Sequence, residues 1–221
     1  MSLRRTPRAA LFDLDGVLLD TEPLYTQATR EIVAPYGKTF DWSIKRNMIG
    51  RPSIDSARYL VGALDLPISA EDYLELRARR LEELFADAPE VAGAERFTRA
   101  LADAGLPTGV ATSSESRLYA IKTLRHRDWF RVFDTVVRGD DCRVARGKPA
   151  PDIFVVAAAD LGVACEDCVV FEDSPAGLEA GKAAGMQVVA LPDPAMDRDA
   201  YAAADRIVAG FDELDPAAFA R

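Results

Sequence analysis

Positive charge is scarce in this chain. Lys and Arg number 27 against 36 Asp and Glu, a net charge of −9 at pH 7. A nucleic acid needs a basic surface against its phosphate backbone, so none is expected as the main partner. The same imbalance argues against docking on an anionic membrane surface. Long apolar runs are also missing. No transmembrane segment is read, and the basic start Met1-Ser2-Leu3-Arg4-Arg5 lacks the apolar stretch that a signal peptide needs. Cysteine and histidine are rare, with three and one. Cys165-Glu166-Asp167-Cys168 is a lone C-x-x-C, and a zinc site would need two more ligands, for which only Cys142 and His126 remain. The two cysteines read as small, reduced residues leading into a strand, and the odd, low count fits the cytoplasm, the expected location. No internal repeat or low-complexity linker is visible.

What is present suffices for a packed core. The 221 residues are 49% apolar, enough for one large domain or two small ones. Short apolar runs at Ala9–Phe12, Gly109–Ala111, Thr135–Val137, Cys168–Phe171 and Gln187–Leu191 read as buried parallel strands. Helical stretches lie between them. Pro151 to Leu161 opens on a proline and stops at Gly162, and Ser174-Pro175 opens another helix that Gly185 closes. Strand alternating with helix predicts an α/β fold, a Rossmann-like parallel sheet with helices on both faces. Residues 21–89 differ. They show no convincing strand, a capping-box-like Ser69-Ala70-Glu71-Asp72, and a stripe of Leu74, Ala78, Leu81 and Phe85 that reads as core-facing. Glu75 and Arg79 are spaced as a solvent-side ion pair, and Arg77, Arg79 and Arg80 read as a solvated face before they read as a phosphate patch. The expected organisation is a core of residues 1–20 and 90–221 with an all-α insertion of residues 21–89.

Four fragments sit at or near the carboxyl ends of the predicted strands, where ligands bind in such folds. They are Asp13-Leu14-Asp15-Gly16, Thr112-Ser113-Ser114, Lys148-Pro149 and Glu172-Asp173-Ser174. Asp13 and Asp15 are two apart on an extended segment, so their side chains start on one side. Two carboxylates this close repel, and a divalent cation relieves that. A calcium loop does not fit, because Gly16 comes too early and Leu24 stands where the closing glutamate belongs. A lysine against carboxylates and phosphate neutralises reacting oxygens. Thr112 offers a hydroxyl, with the amides that follow it, to phosphate oxygens. Glu172 and Asp173 suit a hard cation. Each fragment alone has a structural reading as well: turn aspartates, a helix cap, a surface lysine, a capping turn before Pro175. Their combination points to a phosphoryl group and a metal.

These strings closely resemble the signature motifs of the haloacid dehalogenase (HAD) superfamily. The first is Leu11-Phe12-Asp13-Leu14-Asp15-Gly16-Val17, followed by Asp20-Thr21-Glu22-Pro23. The others are Val110-Ala111-Thr112-Ser113-Ser114, Gly147-Lys148-Pro149-Ala150-Pro151-Asp152, and Val170-Phe171-Glu172-Asp173-Ser174-Pro175-Ala176-Gly177. The similarity is greatest to the branch of β-phosphoglucomutase and phosphoglycolate phosphatase, with a small helical cap as lid. The resemblance implies a magnesium-dependent phosphatase for small phosphorylated metabolites such as sugar phosphates. Asp13 would be the nucleophile that becomes an aspartyl-phosphate. Asp15 would be the acid and then the base, and Thr112, Ser113 and Lys148 the phosphate contacts. Asp13, the Asp15 main-chain carbonyl, Asp173 and Glu172 would hold Mg2+. Glu22, Arg51 and Ser114 are candidate substrate contacts, Arg51 being equally placed for loop packing. Asp15 separates the chain from true dehalogenases. Tyr25 stands where the mutase has a histidine, which favours phosphatase over isomerase. A response-regulator receiver is disfavoured by motif order. A monomer or homodimer is expected.

Overall fold

The computed structural model describes residues 3–48 and 53–219. It divides into two compact units, Thr21–Ala88 on the one hand and Met1–Asp20 with Pro89–Arg221 on the other.

Thr21–Ala88 contains helices α1 (Glu22–Val33), α2 (Trp42–Lys45), α3 (Ser53–Ala63) and α4 (Ala70–Phe85), and no strand among its described residues. Its core gathers Val33, Phe40, Ala57, Leu60, Leu66 and Tyr73. The start of α4 is a capping box: Asp72 N–H donates to Ser69 Oγ at 3.0 Å, and the Asp72 carboxylate accepts from the Ser69 N–H at 3.3 Å. The buried stripe of α4 keeps Leu81 and Phe85 of the expected one, with Leu74 packed against the core, but not Ala78. It runs through Ala70, Tyr73, Leu81 and Phe85, while Ala78 is exposed and Leu74 only partly buried. The physical reason is area. A tyrosine ring removes far more apolar surface from water than an alanine methyl, so it sets the rotation of the helix. The Tyr73 hydroxyl then pairs with Thr29 Oγ1 at 2.9 Å. The three arginines of α4 are engaged locally. Arg79 pairs with Glu75, Arg80 with Glu31 and Glu83, and the Arg77 guanidinium lies 5.6 Å from the Tyr73 ring centre.

The other unit is a six-stranded sheet of β1 (Ala9–Phe12), β2 (Thr108–Ala111), β3 (Thr135–Val137), β4 (Cys168–Glu172), β5 (Gln187–Ala190) and β6 (Arg206–Ile207). The order is β3-β2-β1-β4-β5-β6, and every pair is parallel. Helices α5 (Ala94–Asp103), α6 (Ser116–Lys122), α7 (Asp152–Asp160) and α8 (Pro175–Ala183) alternate with the strands. Side chains alternate across a strand, so β1 feeds two cores. Leu11 joins Val170, Ala111 and Val188 beneath Phe154 and Ala157 of α7 and Leu178 of α8. Phe12 turns the other way and stacks on Phe171 of β4 at 4.6 Å. There Phe97 of α5 meets Phe12, Phe171, Phe211 and Phe219 at 5.1–6.4 Å between ring centres. The α/β architecture is the one the alternating pattern predicts, with helices on both faces. Strand β6 was not foreseen, because a two-residue edge strand leaves no periodicity to read. Among the described residues no helix is long and apolar enough to cross a membrane.

Phe97 is the aromatic side chain by which α5 joins this ring cluster, beside the buried Ala94, Thr98 and Leu101. Phe97→Ala is expected to lower the unfolding free energy by about 3–5 kcal/mol in a urea titration. A loss below about 1 kcal/mol would show that this aromatic cluster does not anchor the helix.

Candidate active site

Chain order reverses about β1. Strands β2 and β3 lie on one side of it, and β4, β5 and β6 on the other. A crevice opens at the carboxyl ends of strands where order reverses. Asp13 follows β1 there, and its N–H donates to Phe171 O at 3.0 Å, which keeps the ladder between β1 and β4 intact up to the site. Glu172 is the last residue of β4, and Asp173 follows it. Thr112 follows β2, its N–H donating to Val137 O at 3.0 Å.

Lys148, in the loop between β3 and α7, reaches into this group. Its Nζ donates to Asp13 Oδ1 at 2.5 Å, Glu172 Oε1 at 2.5 Å and the Ala111 carbonyl at 3.1 Å. One ammonium therefore ties together the ends of three neighbouring strands. Its side chain is 6% exposed and lies 4.9 Å from the Phe154 ring centre. Burial opposes its charge, but Asp13 and Glu172 outweigh burial and hold its pKa above the ordinary lysine value. Burial pushes the Asp13 carboxyl up to about 7, against the pull of Lys148 and with a further push from Glu172. Asp173 is likewise raised well above the usual carboxylate range, by burial first and then by Glu172 and Asp13.

Glycines make room for the acids. Gly16 has φ +78°, and a Cβ there would lie 2.1 Å from Asp173 Oδ2. A Cβ on Gly177 would lie 1.8 Å from Glu172 Oε1. Gly177 N–H instead donates to Ser174 Oγ at 3.0 Å, the cap of α8, and Ser174 N–H and Oγ–H each donate to Glu172 Oε2 at 3.0 Å. Glu172 is thus held at both oxygens. The Tyr201 hydroxyl donates to the Asp173 carbonyl at 2.5 Å and fixes that turn.

Asp15 takes a different path. The strand stops at Phe12, Asp15 forms an isolated β-bridge with Leu19, and the chain then turns back, with Gly16 N–H donating to Leu19 O at 2.8 Å. The Asp15 carboxylate accepts from Lys122 Nζ at 2.6 and 2.8 Å and from Ser114 Oγ at 2.9 Å. Lys122 is the residue that sequence reasoning missed. The one available signal was a lysine closing a helix whose last turns are Leu118, Tyr119, Ala120 and Ile121, a setting where a surface lysine is the ordinary reading. Thr112 is fully buried, and its Oγ1 accepts from Ser114 N–H at 3.0 Å, which leaves its proton to donate onward. Ser113 is exposed. In the helical unit, Glu22 pairs with Lys45 at 2.6 Å, and Tyr25 packs edge-on against Phe85 at 5.4 Å. Arg51 lies outside the described residues. His126 packs against Trp129 at 5.6 Å.

Asp13, Glu172 and Asp173 each offer a carboxylate oxygen within 4.8 Å of the others, and Lys148 pairs with the first two. A second cation fits this surplus of negative charge, and an all-oxygen donor set selects a hard one such as Mg2+. Such an ion would lower the raised carboxyl pKa values and keep Asp13 ionised.

The sequence model of the haloacid dehalogenase-like hydrolase family matches residues 7–185. The chain is 43% identical over 212 residues to a Drosophila melanogaster protein named "Probable pseudouridine-5'-phosphatase", across 95% of this chain and 92% of that one. It is 42% identical over 211 residues to "(DL)-glycerol-3-phosphatase 1, mitochondrial" of Arabidopsis thaliana, across 93% of this chain and 71% of that one. Among solved structures it is similar to a HAD family hydrolase from Deinococcus radiodurans R1 with bound phosphate and sodium, at a TM-score of 0.80, 29% identity and 96% coverage of both chains.

Two outcomes follow from this geometry. Helix propensity alone would make Gly177→Ala stabilising by about 1 kcal/mol. The collision with Glu172 outweighs it, so a net loss of about 1–3 kcal/mol is expected in a thermal or denaturant melt; a gain would refute the packing described. The second concerns pH. Asp13 has a folded pKa of about 7 against an ordinary 3.8, so between these values the folded state binds a proton that the unfolded state has lost. Its contribution to stability therefore falls as pH rises through that window. A Mg2+ ion held by Asp13 would have to displace this proton at low pH, so added MgCl2 should raise the melting temperature more at about pH 7.5 than at about pH 5. An equal or larger rise at the lower pH would contradict it.

Proposed function

This chain is an enzyme of the haloacid dehalogenase-like hydrolase family, and from that premise we propose that it is a Mg2+-dependent phosphatase of small phosphorylated metabolites. The observation that carries the proposal is the Lys148 ammonium between Asp13 and Glu172, with Asp173 in the same carboxylate group. A carboxylate nucleophile needs a dry, positively supported place from which to attack phosphorus, and phosphoryl transfer needs charge held close to the equatorial oxygens. Asp13 would attack and carry the phosphoryl group. Lys148, with the hydroxyl of Thr112, would hold the phosphoryl oxygens. Asp15 would give a proton to the departing alcohol and take one from the water that follows. Magnesium, on Asp13, the Asp15 carbonyl and Asp173, would supply electrostatic stabilisation of the transferring group. Glu172 acts one step back, since Lys148 and Ser174 already engage both its oxygens.

The two relatives are named for a glycerol-3-phosphate ester and a nucleoside 5'-phosphate, both phosphates on a primary carbon of a polyhydroxyl compound. That is the ester class we assign to this chain. An isomerase is the second reading from sequence. Tyr25 packs against Phe85 and carries a phenol where that reaction has an imidazole, so hydrolysis is favoured.

Purified protein with Mg2+ should release inorganic phosphate from a panel of glycerol, sugar and nucleoside monophosphates. Asp13→Asn should lower the rate by at least about a thousandfold. Isomerised sugar phosphate in place of free phosphate, or full activity in Asp13→Asn, would overturn the assignment.

A further inference from the structure

We propose that Lys122 is a positioning residue for Asp15, and that a closed triangle of Lys122, Ser114 and Asp15 aims the carboxylate at the leaving and attacking oxygens. The proposal rests on the phosphatase reading above. Lys122 Nζ donates to both Asp15 oxygens, at 2.6 and 2.8 Å, and to Ser114 Oγ at 2.9 Å. Ser114 Oγ–H in turn donates to Asp15 Oδ2 at 2.9 Å. Lys122 comes from α6 and Ser114 from the loop after β2, so the triangle joins three separate pieces of chain. It is distinct from the Lys148 group, whose acceptors are Asp13, Glu172 and the Ala111 carbonyl.

Burial makes this more than a surface ion pair. The Lys122 side chain is 1% exposed, whereas the Asp15 side chain is 29% exposed. A lysine ammonium that deep needs charged and hydrogen-bonding partners, and Asp15 and Ser114 supply them. The open side belongs to Asp15. A carboxylate partly in water, just ahead of the turn that begins at Gly16, can take several side-chain rotamers unless something holds it. An acid or base in a reaction is commonly oriented by a third group, and Lys122 is placed to be that group.

The chemistry assigns the consequence. In the first step an Asp13 oxygen bonds to phosphorus, the bond from phosphorus to the alcohol oxygen breaks, and the Asp15 proton goes to that oxygen. In the second, a water oxygen bonds to phosphorus, the bond to Asp13 breaks, and the water proton goes to Asp15. An aryl ester whose leaving group departs as a stable anion needs no proton in the first step. An alkyl ester does. Because kcat/KM reports events up to the first irreversible step, the two esters separate the role of Lys122 in proton transfer from a general structural role.

The test is Lys122→Met, which keeps side-chain volume and leaves Asp15 open to solvent. On the alkyl phosphate that the wild type turns over best, kcat/KM should fall by about 10- to 100-fold. On p-nitrophenyl phosphate, kcat/KM should stay within about twofold while kcat and KM fall together, because phosphoenzyme hydrolysis still needs Asp15. In an Asp15→Asn background, Lys122→Met should add less than about a twofold change. Should Lys122→Met not fold by thermal melt, Ser114→Ala removes one corner of the triangle and should show the same leaving-group dependence. An equal fall in kcat/KM on both esters, or no fall on the alkyl ester, would overturn the positioning role alone. Wild-type protein inert toward both esters would overturn the phosphatase reading and the positioning role with it.

Discussion

The buried Lys148 ammonium makes the cluster of Asp13, Glu172 and Asp173 physically tenable. Asp13, Glu172 and Asp173 converge at the ends of β1 and β4 in a place that burial has largely dried. Three carboxylates there would repel one another and lose their hydration. Lys148 answers both problems by donating to Asp13, Glu172 and the Ala111 carbonyl together. The backbone serves this arrangement. The register that pairs Phe12 with Phe171 brings the next residues, Asp13 and Glu172, side by side, and the stacked rings beneath them fix that register. Gly16 and Gly177 then give the acids the space that any side chain would fill.

The two aspartates of the first motif, two residues apart, are held by two different lysines. Asp13 belongs to Lys148 and Asp15 to Lys122. In the proposed mechanism this would keep the attacking carboxylate apart from the one that handles the proton. Asp13 is buried beside Lys148, whereas the Asp15 side chain stays 29% exposed.

Much of the fold was legible because it rests on local rules. Five of the six strands showed as short apolar runs. The capping box at Ser69 and the Ser174 cap of α8 were readable from side chains that can reach a backbone N–H. The misses have physical causes. Strand β6 is too short to carry a period. The α4 stripe shifted because burying Tyr73 outweighs burying Ala78, and that balance depends on what faces the helix. Lys122 escaped because a lysine at the end of a short helix is ordinarily solvated, and its carboxylate partner lies 107 residues away.

The sequence by itself determined the reaction chemistry on offer: paired carboxylates, a hydroxyl, a lysine and two further acids, in an order and at strand ends that point to phosphoryl transfer. It did so because residue type and distance from a strand's end are local properties. Tertiary structure alone decided which lysine serves which aspartate, that Glu172 accepts from Lys148, and that Asp15 turns toward Ser114. These pairings form between segments up to 135 residues apart. Only the packing of the sheet and its helices brings them within hydrogen-bonding distance, and the spacing of residues along the chain carries no record of it.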